Sequence, residues 1–206
     1  MDKYDQTIAR LQDDDDEENG EAPQSSDQPF MEKMLRTRTI LLSGEVNKPL
    51  AERVVRQLLL LEDAGDDPIR VFIDSPGGDA DAGFAILDMM RFVKPDVYTI
   101  GMGLVASAGA LILLASPREH RIGLPNSHYL IHQPLSGMRG VATDIEIHAR
   151  EIERMRERIN VLIAEETGKP IDKVVKDTDR DFWMNADEAK EYGLISRIVT
   201  SRNELE

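Results

Sequence analysis

The stretch Gly103-Leu104-Val105-Ala106-Ser107-Ala108-Gly109-Ala110-Leu111-Ile112-Leu113-Leu114-Ala115 places one hydroxyl inside an otherwise small and apolar run. A buried polar group costs roughly 1–3 kcal/mol unless something satisfies it, so Ser107 needs a structural partner or a chemical role. One reading is a helix N-cap, a position that favours Ser, since the run after it is helical in character. The other is a nucleophile at a helix N-terminus, which the rest of the chain would have to equip with a base, an acid and oxyanion donors.

Working outward, strand and helix alternate. Thr39 to Leu42 reads as a short strand ending at Gly44. Asn47, with Pro49 in the first turn, opens a helix with Ala51, Val54, Val55, Leu58 and Leu59 at helical spacing, and Gly65 lies just past its end. Ile69 to Ile73 is a second strand running into the forced turn Ser75-Pro76-Gly77-Gly78. A helix with Ala82, Ile86, Met89, Met90 and Val93 on one face stops at Pro95, and Val97 to Met102 is a third strand before the Ser107 helix. Three such alternations predict an α/β domain with a largely parallel sheet. Tyr129 to His132 follows as a strand ending at Gln133-Pro134. From about Val141 to Glu166, Ile145, Ala149, Ile152, Met155 or Arg156, Ile159, Leu162 and Ile163 make a narrow stripe closed by Gly168. That stripe fits a core helix on the sheet and equally a projecting helix that packs against another subunit. Ile171 to Thr178 reads as a short helix, Asn185 with Glu188 as a capping box for a helix stopped by Gly193, and Ile195 to Thr200 as a last strand.

The 206 residues fit one domain, or one domain plus a tail. Residues 1–30 hold ten acids and two bases, including Asp13 to Glu18 as an unbroken acidic run, and read as a solvated, disordered arm. The folded domain is expected over 31–206. A net charge of -14 argues against nucleic acid as a partner. The apolar run around Ser107 is too short and interrupted to span a bilayer, and the N-terminus lacks a secretory pattern. The absence of cysteine excludes disulfides and thiolate chemistry and fits a reducing cytoplasm.

A serine nucleophile needs a base and a group to orient it. Of the four histidines, His148 lies among charges on the long helix and His120 in a polar segment, both read as solvated. His132 stands at the end of an apolar strand, where α/β folds place ligand-facing groups, and fits either a functional or a satisfied strand-end histidine. His128 and His132 give no compact metal site on a strand, so no metal is expected. The acid is not fixed by chemistry among 39 carboxylates. Asp181, before Phe182-Trp183, is attractive as a group held under apolar cover, with a salt bridge to Arg180 as the ordinary alternative. The N–H groups of Ala108, after the serine, and of Gly78, in a turn open to close approach, are candidate oxyanion donors. Pro76-Gly77-Gly78 lacks the downstream Gly-Lys-Ser/Thr of a phosphate loop.

With these residues in place, the chain from about Leu35 to Thr200 resembles the proteolytic subunit of the Clp protease. The resemblance rests on Asp74-Ser75-Pro76-Gly77-Gly78, Lys94-Pro95-Asp96-Val97, Ala106-Ser107-Ala108-Gly109-Ala110, Leu124-Pro125-Asn126-Ser127 and Ile131-His132-Gln133-Pro134. It continues through Ala142 to Ile152, Asp177-Thr178-Asp179-Arg180-Asp181 and Glu188-Ala189-Lys190-Glu191-Tyr192-Gly193-Leu194, all in one order.

The resemblance implies a crotonase-like fold, a Ser107, His132, Asp181 triad, and oxyanion donors on Gly78 and Ala108. It implies a polypeptide substrate laid as an added strand beside Gly78, Ala80 and Leu135, with no cofactor. It further implies two stacked heptamers, homomeric or shared with a paralogue, joined by a projecting handle helix from Val141. An AAA+ unfoldase would dock at pockets mapping to Phe72, Phe92 and Ile122. The sequence departs from the family in two places: the usual axial-loop segment is replaced by the acidic arm, a candidate propeptide, and Ile122 stands where the family usually has an aromatic residue. Two rivals share parts of this reading, an idle ring subunit beside an active paralogue and a crotonase-type acyl-CoA enzyme.

Overall fold

The computed structural model describes residues 33–205; the acidic arm read over 1–30 lies outside them. Strand β1 (Thr39–Ser43) and strand β2 (Ile69–Ser75) alternate buried and less buried residues, so Ile40, Leu42, Val71 and Ile73 enter the core on one face. Helix α1 (Lys48–Asp63) starts where predicted: Asn47 accepts from Leu50 N through its side chain, and Pro49 sits in the first turn, where a missing N–H is harmless. Its inward face is Leu50, Ala51, Val54, Leu58 and Leu61, whereas Leu59, expected on that face, is exposed. The buried stripe runs through Leu61, which rotates Leu59 and Leu60 toward the outside.

Helix α2 (Ala80–Phe92), capped by Asp79, packs beside α1. Strand β3 (Val97–Ala106) is longer than the sequence suggested and runs to the residue before Ser107. Helix α3 (Ala108–Leu113) follows at once and is wholly buried, its last carbonyl accepting from Thr99 Oγ1 at 3.0 Å. Strands β1, β2 and β3 pair in parallel. The first half of β3 pairs with β4 (Arg121–Gly123) and its second half with β5 (His128–Ile131), both in parallel. This split opens the sheet at the serine end. Gly101 and Gly123 flank the Tyr129 hydroxyl so closely that a Cβ on either would come within 2.6 Å of it.

Helix α4 (Ala142–Thr167) is buried only toward its C-terminal end, through Ile159, Asn160, Leu162, Ile163 and Thr167. Its N-terminal half leaves Ile145 and Ile147 exposed, so one helix both packs on the domain and projects from it. Helix α5 (Ile171–Asp177) leads to strand β6 (Phe182–Asn185), antiparallel to β5. Helix α6 (Ala186–Tyr192) carries the predicted capping box between Asn185 and Glu188, and Gly193 ends it at φ +100°. The expected last strand reduces to β7 (Arg197–Ile198) beside β4, followed by a 3-10 turn, Arg202–Leu205.

An ion cluster ties α4 to the sheet. Arg121 is 1% exposed; its Nη2 donates to Glu166 O at 2.8 Å and lies 3.3 Å from the Glu166 carboxylate. Glu166 also pairs with Arg91 at 2.6 Å. Burial pushes the Arg121 guanidinium down to about 10 against the attraction of Glu166. Among the described residues no helix is long and apolar enough to cross a membrane.

Candidate active site

Ser107 holds the N-cap position of α3 without capping it. Its backbone sits at φ +54°, ψ -121°, and its side chain makes no cap hydrogen bond. Positive φ is strained for a residue with a Cβ and persists where neighbours over-determine it. Here Ser107 N donates to Leu130 O at 2.9 Å, and Ser107 O accepts from Ala110 N at 2.9 Å. The hydroxyl is thereby turned to His132, with Oγ 2.8 Å from Nε2. Of the two readings of this serine, the side-chain cap is the one the structure rejects.

His132 Nδ1 lies 2.9 Å from Asp181 Oδ1. The carboxylate's ion-pair partner is thus His132, and not Arg180. Asp181 is not under apolar cover: its side chain is 62% exposed, because β6 is an edge strand and Trp183 beside it also faces outward. What holds Asp181 is the turn before it. Gln133 N donates to Thr178 O at 2.7 Å and Gln133 Nε2 to Asp179 O at 2.6 Å. From α4, buried Asn160 accepts from Thr178 Oγ1 at 2.7 Å, and Arg156 pairs with Asp179 at 3.0 Å. These anchors lie far apart in sequence, so residue spacing gave no signal for them.

The Gly77-Gly78 turn is pinned against the serine. Val46 N donates to Gly77 O and Asp79 N to Val46 O, both at 2.8 Å, while Ser75 Oγ accepts from Gly77 N and donates to Gly44 O. A Cβ on Gly77 (φ +92°) would lie 2.5 Å from Ser107 Cβ, and one on Gly78 (φ +144°) 2.2 Å from Val46 O. Only residues without side chains fit.

A cleft of about 480 Å³ gathers Ser107 and His132 with Gly78, Ala80, Ala108 and Leu135, and adds Leu111, Ile131, Ile159 and Ile163 as apolar lining. None of these four is a candidate site residue in the sequence, where Ile159 and Ile163 belong to a stripe that fits either a core helix or a projecting, subunit-packing one. Of the other histidines, His148 is not simply solvated, with Nε2 2.8 Å from Ser136 Oγ, and His120 stacks on Tyr98. Phe72 and Ile122 meet in a separate apolar cluster with Ile100 and Val199, whereas Phe92, 75% exposed at the end of α2, stands outside it. Among the described residues no group of three or more His, Asp or Glu could hold a metal ion.

A largely parallel α/β sheet whose strand ends bring hydroxyl, imidazole and carboxylate into one hydrogen-bonded line has the arrangement that serine hydrolases use. The Clp protease family profile matches residues 22–202, beginning inside the acidic stretch. The chain is 64% identical over 182 residues to "ATP-dependent Clp protease proteolytic subunit 2" of Treponema denticola, covering 88% of this chain and 91% of the relative. It is 50% identical to subunit 3 of Rhizobium meliloti, covering 95% of this chain and all of the relative. A solved structure of a ClpP1 point mutant from Listeria monocytogenes superposes with a TM-score of 0.81 at 51% identity, over 86% of this chain and 99% of that one. The chain therefore belongs to the Clp protease family, with the ClpP-type fold, as a serine endopeptidase subunit. The acyl-CoA reading is not favoured by any of these matches.

Proposed function

We propose that Ser107 is the nucleophile of a peptide hydrolase, with His132 as its base and Asp181 as the group that orients the imidazole. The observation that carries this is the unbroken line from Ser107 Oγ to His132 Nε2 at 2.8 Å and from His132 Nδ1 to Asp181 Oδ1 at 2.9 Å. A polypeptide lies extended between Gly78 to Ala80 and Leu135, its scissile carbonyl over Ser107. Oγ attacks, His132 takes the proton at Nε2, and the oxyanion is met by the N–H groups of Gly78 and Ala108. His132 then gives its proton to the leaving amine, and water repeats the sequence on the acyl-enzyme. The apolar lining of Leu111, Ile131, Ile159 and Ile163 suits an uncharged side chain beside the cleaved bond.

The subunit works within two stacked heptamers, fed by an AAA+ unfoldase, in a cytoplasm whose reducing state the cysteine-free chain suits. The half-projecting α4, with exposed Val141, Ile145 and Ile147, supports a handle that packs against another subunit. The apolar cluster of Phe72 and Ile122, together with the separately exposed Phe92, is assigned as the docking surface for the ATPase. The peptidase domain spans 31–206, with the acidic arm as a removable segment. Hydrolysis of a short fluorogenic peptide by the assembled protein, lost in Ser107→Ala, tests the reading. A Ser107→Ala ring that still cleaves the peptide overturns it, and an inert wild type would favour an idle ring subunit.

A further inference from the structure

Leu41, Phe72, Ile100 and Ile122 are register partners across four parallel strands, β1 to β4. Strand alternation turns them away from Ile40, Leu42, Val71 and Ile73, onto the sheet face opposite the helix-packed core. Ile100 and Ile122 are nevertheless fully buried. Their cover comes from Val199, from the partly buried Phe72, Tyr98 and Leu124, and from Leu205 in the terminal 3-10 turn. At the other end of the row Leu41 remains 41% exposed.

Leu205 is brought there by a fold-back. Glu204 Oε1 accepts from Thr200 N at 3.1 Å, Thr200 Oγ1 at 2.8 Å, Ser201 N at 2.8 Å and Ser201 Oγ at 2.9 Å. Arg197 Nη2 donates to Glu204 O at 3.3 Å. These bonds to the ionised form hold the Glu204 carboxyl below its ordinary range. The chain is thus reversed just after Val199, and one branched aliphatic side chain is laid on the cluster. Apart from Leu205 the turn is exposed, the kind of segment that opens locally at small cost.

We propose that the Arg202–Leu205 turn is an intramolecular occupant of the apolar surface around Phe72, Ile100 and Ile122, and that an apolar loop of the ATPase partner binds there by displacing Leu205. This rests on the docking reading above and adds that the surface is self-occluded. The resident side chain defines the ligand chemistry: a short segment presenting a branched or aromatic apolar residue. Occlusion lowers the partner's apparent affinity by the fraction of time the surface is open.

The test uses fluorescence anisotropy of a fluorescein-labelled Gly-Leu-Gly-Phe-Gly peptide on the full-length assembled protein. The wild type is compared with Leu205→Ser, with a chain ending at Arg202, and with Phe72→Ser added to Leu205→Ser. Leu205→Ser and the shortened chain are expected to bind the peptide roughly tenfold more tightly than wild type, with Phe72→Ser cancelling the gain. Equal binding by wild type and Leu205→Ser, with loss on Phe72→Ser, overturns self-occlusion while leaving the docking surface intact. No binding by any version, or binding indifferent to Phe72, removes the docking reading and this inference with it. If the altered chains disperse on native mass spectrometry, the methyl resonances of Leu205 in the wild type decide. A shift to solvent-exposed values on saturation with peptide supports displacement, and no change refutes it.

Discussion

His132 faces Asp181 because β5 and β6 run antiparallel with Ile131 paired to Phe182, so the next residue of one strand lies across from the preceding residue of the other. The 2.9 Å contact between Nδ1 and Oδ1 is a consequence of sheet register. It fixes which imidazole nitrogen faces Ser107.

Asp181→Asn keeps the shape of this contact and removes the charge that favours the Nδ1–H tautomer. The expected result is a fall in kcat of about 10²–10⁴ with little change in KM. Because Asp181 is largely exposed, unfolding free energy should stay within about 0.5 kcal/mol of wild type. Steady-state kinetics beside denaturant unfolding checks both, and an unchanged kcat would remove Asp181 from the site.

Gly77→Ala and Gly44→Ala separate strain from obstruction. Both positions have φ near +90°, but a Cβ at Gly44 meets nothing within 4 Å, whereas one at Gly77 lies 2.5 Å from Ser107 Cβ. Gly44→Ala is expected to cost about 1 kcal/mol and keep peptidase activity. Gly77→Ala should abolish activity, as a peptide assay on the two purified variants will report.

Glu166→Gln leaves the guanidinium of Arg121 buried without its countercharge. The expected destabilisation lies toward the lower end of about 3–5 kcal/mol, since Glu166 keeps some contact with water. By contrast Glu146→Gln, which breaks an exposed pair with Arg150 on the projecting half of α4, should cost under about 0.5 kcal/mol. Chemical denaturation of the two variants gives the comparison directly.

Burial pushes the Tyr129 hydroxyl up to about 12 from its ordinary 10.0. Between these values the folded chain holds a proton that the unfolded chain has lost, so stability present below pH 10 declines as pH rises through 12. Arg121, lowered to about 10, acts in the opposite sense, because the folded state releases its proton first. Comparing wild type with Tyr129→Phe isolates the tyrosine: the variant should show the shallower alkaline loss of stability.

The elements legible in the sequence were those with local causes. Asn47 with Pro49 and Asn185 with Glu188 announce their helices by side chains that bond within one turn. The ordered motifs around Ser107, His132 and Asp181 were legible as a family resemblance. Residue chemistry alone left the acid open, since the register of β5 on β6 is a tertiary fact. Strands β4 and β6 were missed because three or four residues carry no readable period, and because Arg121 reads as surface until Glu166, far along the chain, neutralises it. Asp181 was expected under cover and is exposed because β6 lies at the sheet's edge.

Labelling by a fluorophosphonate, mapped by mass spectrometry on the assembled wild type and on His132→Ala, tests the role of Ser107 most directly. Catalysis by the Ser107–His132–Asp181 line predicts one adduct per subunit on Ser107, with labelling lost or slowed by at least about 10³ in His132→Ala. An unlabelled Ser107 in an intact wild-type ring, or labelling indifferent to His132, would contradict it.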